Sequence, residues 1–176
     1  MIREFSVKPS PSNNKARFLF IVCLATAFLL ITLSTIVILY KGIISTLGVV
    51  VLSLGLIVFT RYIAPVYYYD ITFDTDGAPI FVVRQSTGNR YTTLCRIYLA
   101  DIDKVEGESA SQRRAHKRGD GVRLFSYLPT VDPEKSYRIS AVSRYEESEI
   151  IIECSDEFAD LLRSYATEAK SMRFQE

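Results

Sequence analysis

This 176-residue chain has only one histidine and three cysteines, the side chains that soft-metal sites and thiol or imidazole chemistry require. His116 lies within Arg113-Arg114-Ala115-His116-Lys117-Arg118, in the longest and most polar loop expected, where nothing rigid would position it as an acid or base. Cys23, Cys95 and Cys154 show no metal-ligand spacing, and an odd, unpaired set argues against a secreted disulfide scaffold. They read as small core residues. Gly119-Asp120-Gly121 lacks the Lys-Ser/Thr that completes a nucleotide-phosphate loop. The acidic pairs Asp101/Asp103 and Glu146/Glu147 are accounted for by solvated strand ends and turns. No cofactor or metal is expected, and an enzyme has no residues to stand on.

Charge of one sign is also in short supply. The formal net charge is +1, so nothing global points to nucleic acid. The distribution is uneven, however. Residues 1–17 carry Arg3, Lys8, Lys15 and Arg17 against Glu4 alone, whereas 64–176 hold 15 Lys/Arg against 19 Asp/Glu.

Between these parts, charge is almost missing. Residues 18–40 are apolar without one ionisable acid or base, and about 23 residues make a helix of roughly 34 Å, enough to cross a bilayer. A second uncharged run covers 43–60 and extends past Arg61 to about residue 63. One continuous helix would bury Lys41 at mid-length, whereas a hairpin puts Lys41 and Gly42 at the far interface. Two spans, 18–40 and 43–63, are expected. A cleaved signal peptide fits poorly, because the first run is too long and lacks a small-residue cleavage site. Lys15 and Arg17 before the first span and Arg61 after the second outweigh Lys41, placing both termini in the cytoplasm, at the plasma membrane. Arg17, Lys41, Arg61 and Tyr62 are the expected interface residues. Only Ser and Thr break the apolar runs, so no ion pathway is evident, and Gly48 and Gly55 suit either a dimer face or packing between the two helices.

From residue 66 the apolar period becomes two. Tyr67, Tyr69, Ile71 and Phe73 alternate with Asp70, Thr72 and Asp74; the tyrosines fit an interfacial aromatic belt and an inward strand face equally well. Further strands are expected at 79–86, 90–98, 101–109, 122–128, 137–144 and 149–154, with a polar loop at 110–121. The period then changes to helical. Ser155 is a plausible N-cap, Asp156 and Glu157 favour the helix dipole, and Phe158, Leu161, Leu162, Tyr165 and Ala169 form one apolar stripe.

The domain reading is therefore a basic N-terminal tail (1–17), a transmembrane hairpin (18–64) and one cytoplasmic domain (65–176). Seven strands followed by one amphipathic helix resemble the bacterial pleckstrin-homology-like (PH-like) domains attached to paired membrane helices. Ile97-Tyr98-Leu99-Ala100-Asp101-Ile102-Asp103-Lys104-Val105-Glu106 carries the local likeness. The resemblance implies an α+β chain whose seven-stranded antiparallel barrel or sandwich is capped by the C-terminal helix, serving binding or assembly. A plain antiparallel α+β domain of other topology stays open. The basic cluster Arg113, Arg114, Lys117 and Arg118 is the candidate contact for anionic lipid or an acidic partner, or else a solvated loop. The 75–79 connection is short and acidic, which argues against specific inositide binding. The expected function is a membrane-anchored scaffold whose partners are membrane lipids, a protein or further copies of itself; the alternative is an accessory subunit of a larger transport or secretion complex.

Overall fold

The computed structural model describes residues 2–9, 13–115, 121–133, 135–143 and 146–173. Two compact units divide the chain: Pro11–Pro65, and Met1–Ser10 together with Val66–Glu176.

The first unit is a helical hairpin. Helix α1 (Asn14–Ile36) and helix α2 (Lys41–Val58) are joined by Val37 and a 3₁₀ turn at Ile38–Tyr40, and α2 runs on as a π-helical turn at Phe59–Ile63. Both spans are 23 residues long and apolar enough to cross a membrane, and only 11% of each core window is buried. The expected spans shift in detail. The first helix starts earlier, at Asn14, and Lys41 opens the second helix instead of sitting in the connection. Gly48 and Gly55 are used inside the hairpin. A Cβ on Gly48 would stand 3.1 Å from Ile31 and one on Gly55 3.1 Å from Cys23, so the missing side chains are what let the helices approach. The hydroxyls of Thr32, Ser34, Thr46 and Ser53 bond back to carbonyls three or four residues earlier.

The second unit is α+β. Sheet one has the order β1 (Phe5–Val7), β2 (Val66–Phe73), β3 (Pro79–Thr87), β4 (Arg90–Tyr98), all antiparallel. Sheet two has the order β5 (Ile102–Ser109), β7 (Lys135–Ser143), β8 (Glu146–Ile152), β6 (Arg123–Tyr127), with a short helix α3 (Ala110–Ala115) after β5. The seven expected strands all form. Two features depart from the expected antiparallel barrel. The eighth strand, β1, comes from residues read as a tail: Phe5 and Val7 pair beside Ile71 and Tyr69, and Ile2 is buried in the core. In sheet two, β8 inserts between β7 and β6, so β6 and β8 run parallel, and the two four-stranded sheets do not close.

Alternation along the strands fills one core. Tyr67, Tyr69, Ile71, Phe81 and Val83 from sheet one meet Val105, Tyr137, Ile139, Ile150 and Ile152 from sheet two. Helix α4 (Asp156–Arg173) closes it with Phe158, Ala159, Leu162, Ala166 and Ala169. Its start follows the sequence signal: the Ser155 hydroxyl accepts from the Phe158 N–H at 3.3 Å. Tyr67 and Tyr69 are thus inward strand residues, and the outward Tyr68 ring packs on Tyr91 at 5.9 Å.

Candidate functional site

The basic cluster is the first candidate, and half of it is described. Arg113 sits in α3 with its side chain only 14% exposed. Its guanidinium donates to Ser136 Oγ at 2.7 Å, to the Pro133 carbonyl at 3.2 Å and to Asp132 at 3.3 Å. Arg114 is exposed and donates to the other oxygen of Asp132 at 3.0 Å. Asp132 therefore bridges two of the four expected contacts and offsets one of their charges, and Arg113 is tied into the 130–136 connection. Lys117 and Arg118, with His116, lie outside the described residues.

Beneath this connection, sheet two buries a three-residue charge network. Arg138 on β7 is bound through two nitrogens to Glu108 on β5, at 2.9 and 3.0 Å, and through its third to Glu149 on β8. Nearby, burial pushes the Glu153 carboxyl above its usual range, an effect that neighbouring Thr130 and Arg113 only partly offset. Arg138, Glu108 and Glu149 are partnered by one another, which suits a structural role, whereas Glu153 Oε2 and Thr130 Oγ1 are buried without a hydrogen-bond partner among the described residues. The thiols are equally quiet. Burial raises Cys95 to about 11 and Cys154 to about 12, so both are protonated at neutral pH. Among the described residues no three His, Cys, Asp or Glu side chains come together in a way that could hold a metal ion.

The expected interface residues all fall in the hairpin. Arg17 is in the first turns of α1, Lys41 begins α2, and Arg61 lies over the Tyr62 ring at 5.8 Å in the π-helical turn. Asn13 donates to the Tyr62 carbonyl at 2.8 Å and ties the start of the first helix to the end of the second.

One feature escaped the sequence: the free edge of β5. This strand borders sheet two and pairs only on its β7 side. On the open side, Arg163 from α4 donates to the Val105 carbonyl at 2.8 Å, and the Ser109 N–H donates to Gln112 at 2.8 Å. Outward-facing groups alternate along an antiparallel strand, so Gly107 between them also turns its N–H and carbonyl outward. An open groove of about 650 Å³ follows this edge, bounded by Glu106, Glu108, Gln112 and Arg163. Whether a strand is central or at an edge depends on pairing between distant segments, so residue alternation in β5 carried no hint of it. No family model, curated protein or solved structure matches the chain.

Proposed function

We propose that this protein is a membrane-anchored, non-enzymatic binding module that offers the free edge of β5 to an extended segment of a protein partner. The observation that carries the reading is that edge: a strand paired on one side, whose other side is met among the described residues by the side chains of Arg163 and Gln112, beside an open groove. Strand addition supplies main-chain hydrogen bonds as affinity and leaves specificity to alternate side chains, here Lys104 and Glu106 on the outer face.

Anchoring is supported by two 23-residue apolar helices with most of their surface unburied. Residues before and after the hairpin fold into one unit, so both ends of the hairpin belong on the same side of a bilayer. The basic flanks Lys15, Arg17 and Arg61 favour the cytoplasmic side of a bacterial plasma membrane. The PH-like resemblance is supported by the run of strands followed by a capping helix; the parallel β6–β8 pair speaks against it. The accessory-subunit reading gains nothing from Gly48 and Gly55, since both are spent inside the hairpin.

The test is a photo-crosslinking residue in place of Glu106 in the full chain, irradiated in native membranes. A discrete protein adduct that disappears on adding Gly107→Pro, which removes an outward donor and sets its ring in ordinary contact with Tyr137, supports the reading. Irradiation that yields no protein adduct, or one indifferent to Gly107→Pro, overturns it.

A further inference from the structure

Sheet one is electrically polarised along its strands. Because β1 and β2 are antiparallel, Val7 at the end of β1 and Val66 at the start of β2 lie at the same end of the sheet, where Val66 pairs with Ser86 and Ser86 with Tyr91. The β3–β4 turn closes there through Gly88, whose φ of +62° suits a residue without a side chain. This end holds Lys8, Arg84 and Arg90, and none of residues 7–9, 66–69 and 84–93 is Asp or Glu. Arg84 is paired with Asp70; among the described residues Lys8 and Arg90 have no ion-pair partner. The opposite end holds Glu4, Asp74 and Asp76 against Arg3 and Arg96, the latter bound to Asp74, and so carries a slight excess of acid.

The basic end also carries an aromatic pair that no core uses. Tyr91 is 64% exposed and packs on the outward ring of Tyr68 at 5.9 Å. A tyrosine of this kind, apolar in its ring and polar at its tip, suits a water–hydrocarbon boundary.

Chain connectivity says what this end faces. The chain leaves sheet one after β1 for the first apolar helix and re-enters it at Val66, three residues beyond the end of the second span at Ile63. Both tethers reach the same end of the sheet. Three residues extend at most about 10 Å, and Tyr91 is two strand spacings from Val66, roughly another 10 Å. We infer that this end of sheet one rests on an anionic lipid surface, with Lys8 and Arg90 against headgroup phosphates and the Tyr68–Tyr91 pair at the interface. The inference rests on the membrane-anchored reading, and it places the lipid contact away from Arg113 and Arg114.

The chain contains no tryptophan, so single substitutions report without background. Three full-length variants would be reconstituted into vesicles of phosphatidylglycerol and phosphatidylcholine containing brominated acyl chains: Tyr91→Trp, Tyr98→Trp at the acidic end of β4, and Phe28→Trp in mid-helix α1, where the side chain is 70% exposed. The inference expects Phe28→Trp and Tyr91→Trp to lose most of their fluorescence while Tyr98→Trp keeps it. Adding Lys8→Ser and Arg90→Ser should restore emission at position 91 alone, and quenching there should be weaker in pure phosphatidylcholine. If position 28 is quenched and position 91 emits like position 98, the surface contact is wrong and the anchor stands. If position 28 is not quenched, the anchor and the contact fall together.

Discussion

Arg138 and Glu108 meet across β7 and β5 as a bidentate pair, with Nε donating to Oε1 at 2.9 Å and Nη2 to Oε2 at 3.0 Å, and the arginine side chain is only 5% exposed. Such a pair is costly to break because the remaining partner stays buried and uncompensated. Arg138→Ala should therefore destabilise the domain by about 3–5 kcal/mol, as it removes the guanidinium that both Glu108 and Glu149 bind. Arg138→Met combined with Glu108→Leu should recover part of that loss, since Glu149 still lacks its arginine. Urea denaturation of the detergent-solubilised chain, followed by circular dichroism, measures both; a single variant no worse than the double would refute the network's role.

The hairpin makes a sharper claim about distance. An added Cβ on Gly55 would lie 3.1 Å from that of Cys23, a little under the separation a disulfide adopts. Gly55→Cys should form a bond to Cys23 under mild oxidation, visible as a mobility shift on a non-reducing gel that dithiothreitol reverts and peptide mass mapping locates. Gly42→Cys, with nothing within 4 Å, should stay free.

Two tyrosine hydroxyls join the sheets, Tyr69 buried and Tyr127 half-buried, and they should differ in worth. Tyr69 donates to the Tyr127 carbonyl at 2.9 Å and accepts from the Glu153 N–H at 3.4 Å inside the core. Tyr127 donates to the Leu94 carbonyl at 3.2 Å, where the sheets face each other without pairing. Tyr69→Phe leaves buried groups unpaired and should cost about 1–3 kcal/mol, against about 1 for Tyr127→Phe. Thermal melts rank the two, and the reverse order would mean that the inter-sheet contact outweighs the core bond.

Glu153 sets a pH dependence. Burial raises its carboxyl above the usual 4.5, so its contribution to stability is complete below that value and is lost as pH climbs through the raised one. Glu153→Gln should accordingly melt higher than the parent at pH 7.5 and show no such gain at pH 4. Asp74, held low chiefly by the Thr75 N–H, and Asp156, held low chiefly by Lys135, lose stability in acid in both proteins and cancel in the difference.

The N-terminal strand should be indispensable to the sheet domain. Ile2 is buried and the Phe5 ring stacks on Phe158 at 6.1 Å, so residues ahead of the hairpin complete a core built from residues behind it. Ile2→Ala should cost at least about 2 kcal/mol, and a 66–176 fragment should melt below the full chain's domain. Adding a synthetic 1–9 peptide should raise the fragment's melting temperature; no rise at high peptide concentration would count against the strand.

How much of this was legible beforehand depended on distance along the chain. The two apolar runs and the period changes at residues 66 and 155 are local patterns, and they located both spans, seven strands and the terminal helix. Strand β1 was not legible, because three residues in a polar segment carry no period and gain their order from Ile71 and Tyr69, more than sixty positions away. The basic cluster was legible as composition only. Asp132 and Ser136 had to fold back before Arg113 became a tie within the domain instead of a free charge.

By itself, then, the sequence determined which segments are long and apolar enough to cross a membrane, and which alternate with a sheet's two faces, since both follow from neighbours within a few residues. Only the tertiary structure decided that β8 lies between β7 and β6, that β5 keeps an open edge, and that the charges of sheet one separate toward its two ends. Those outcomes depend on which remote strands share hydrogen bonds, and a backbone amide carries no record of its partner in the side chain beside it.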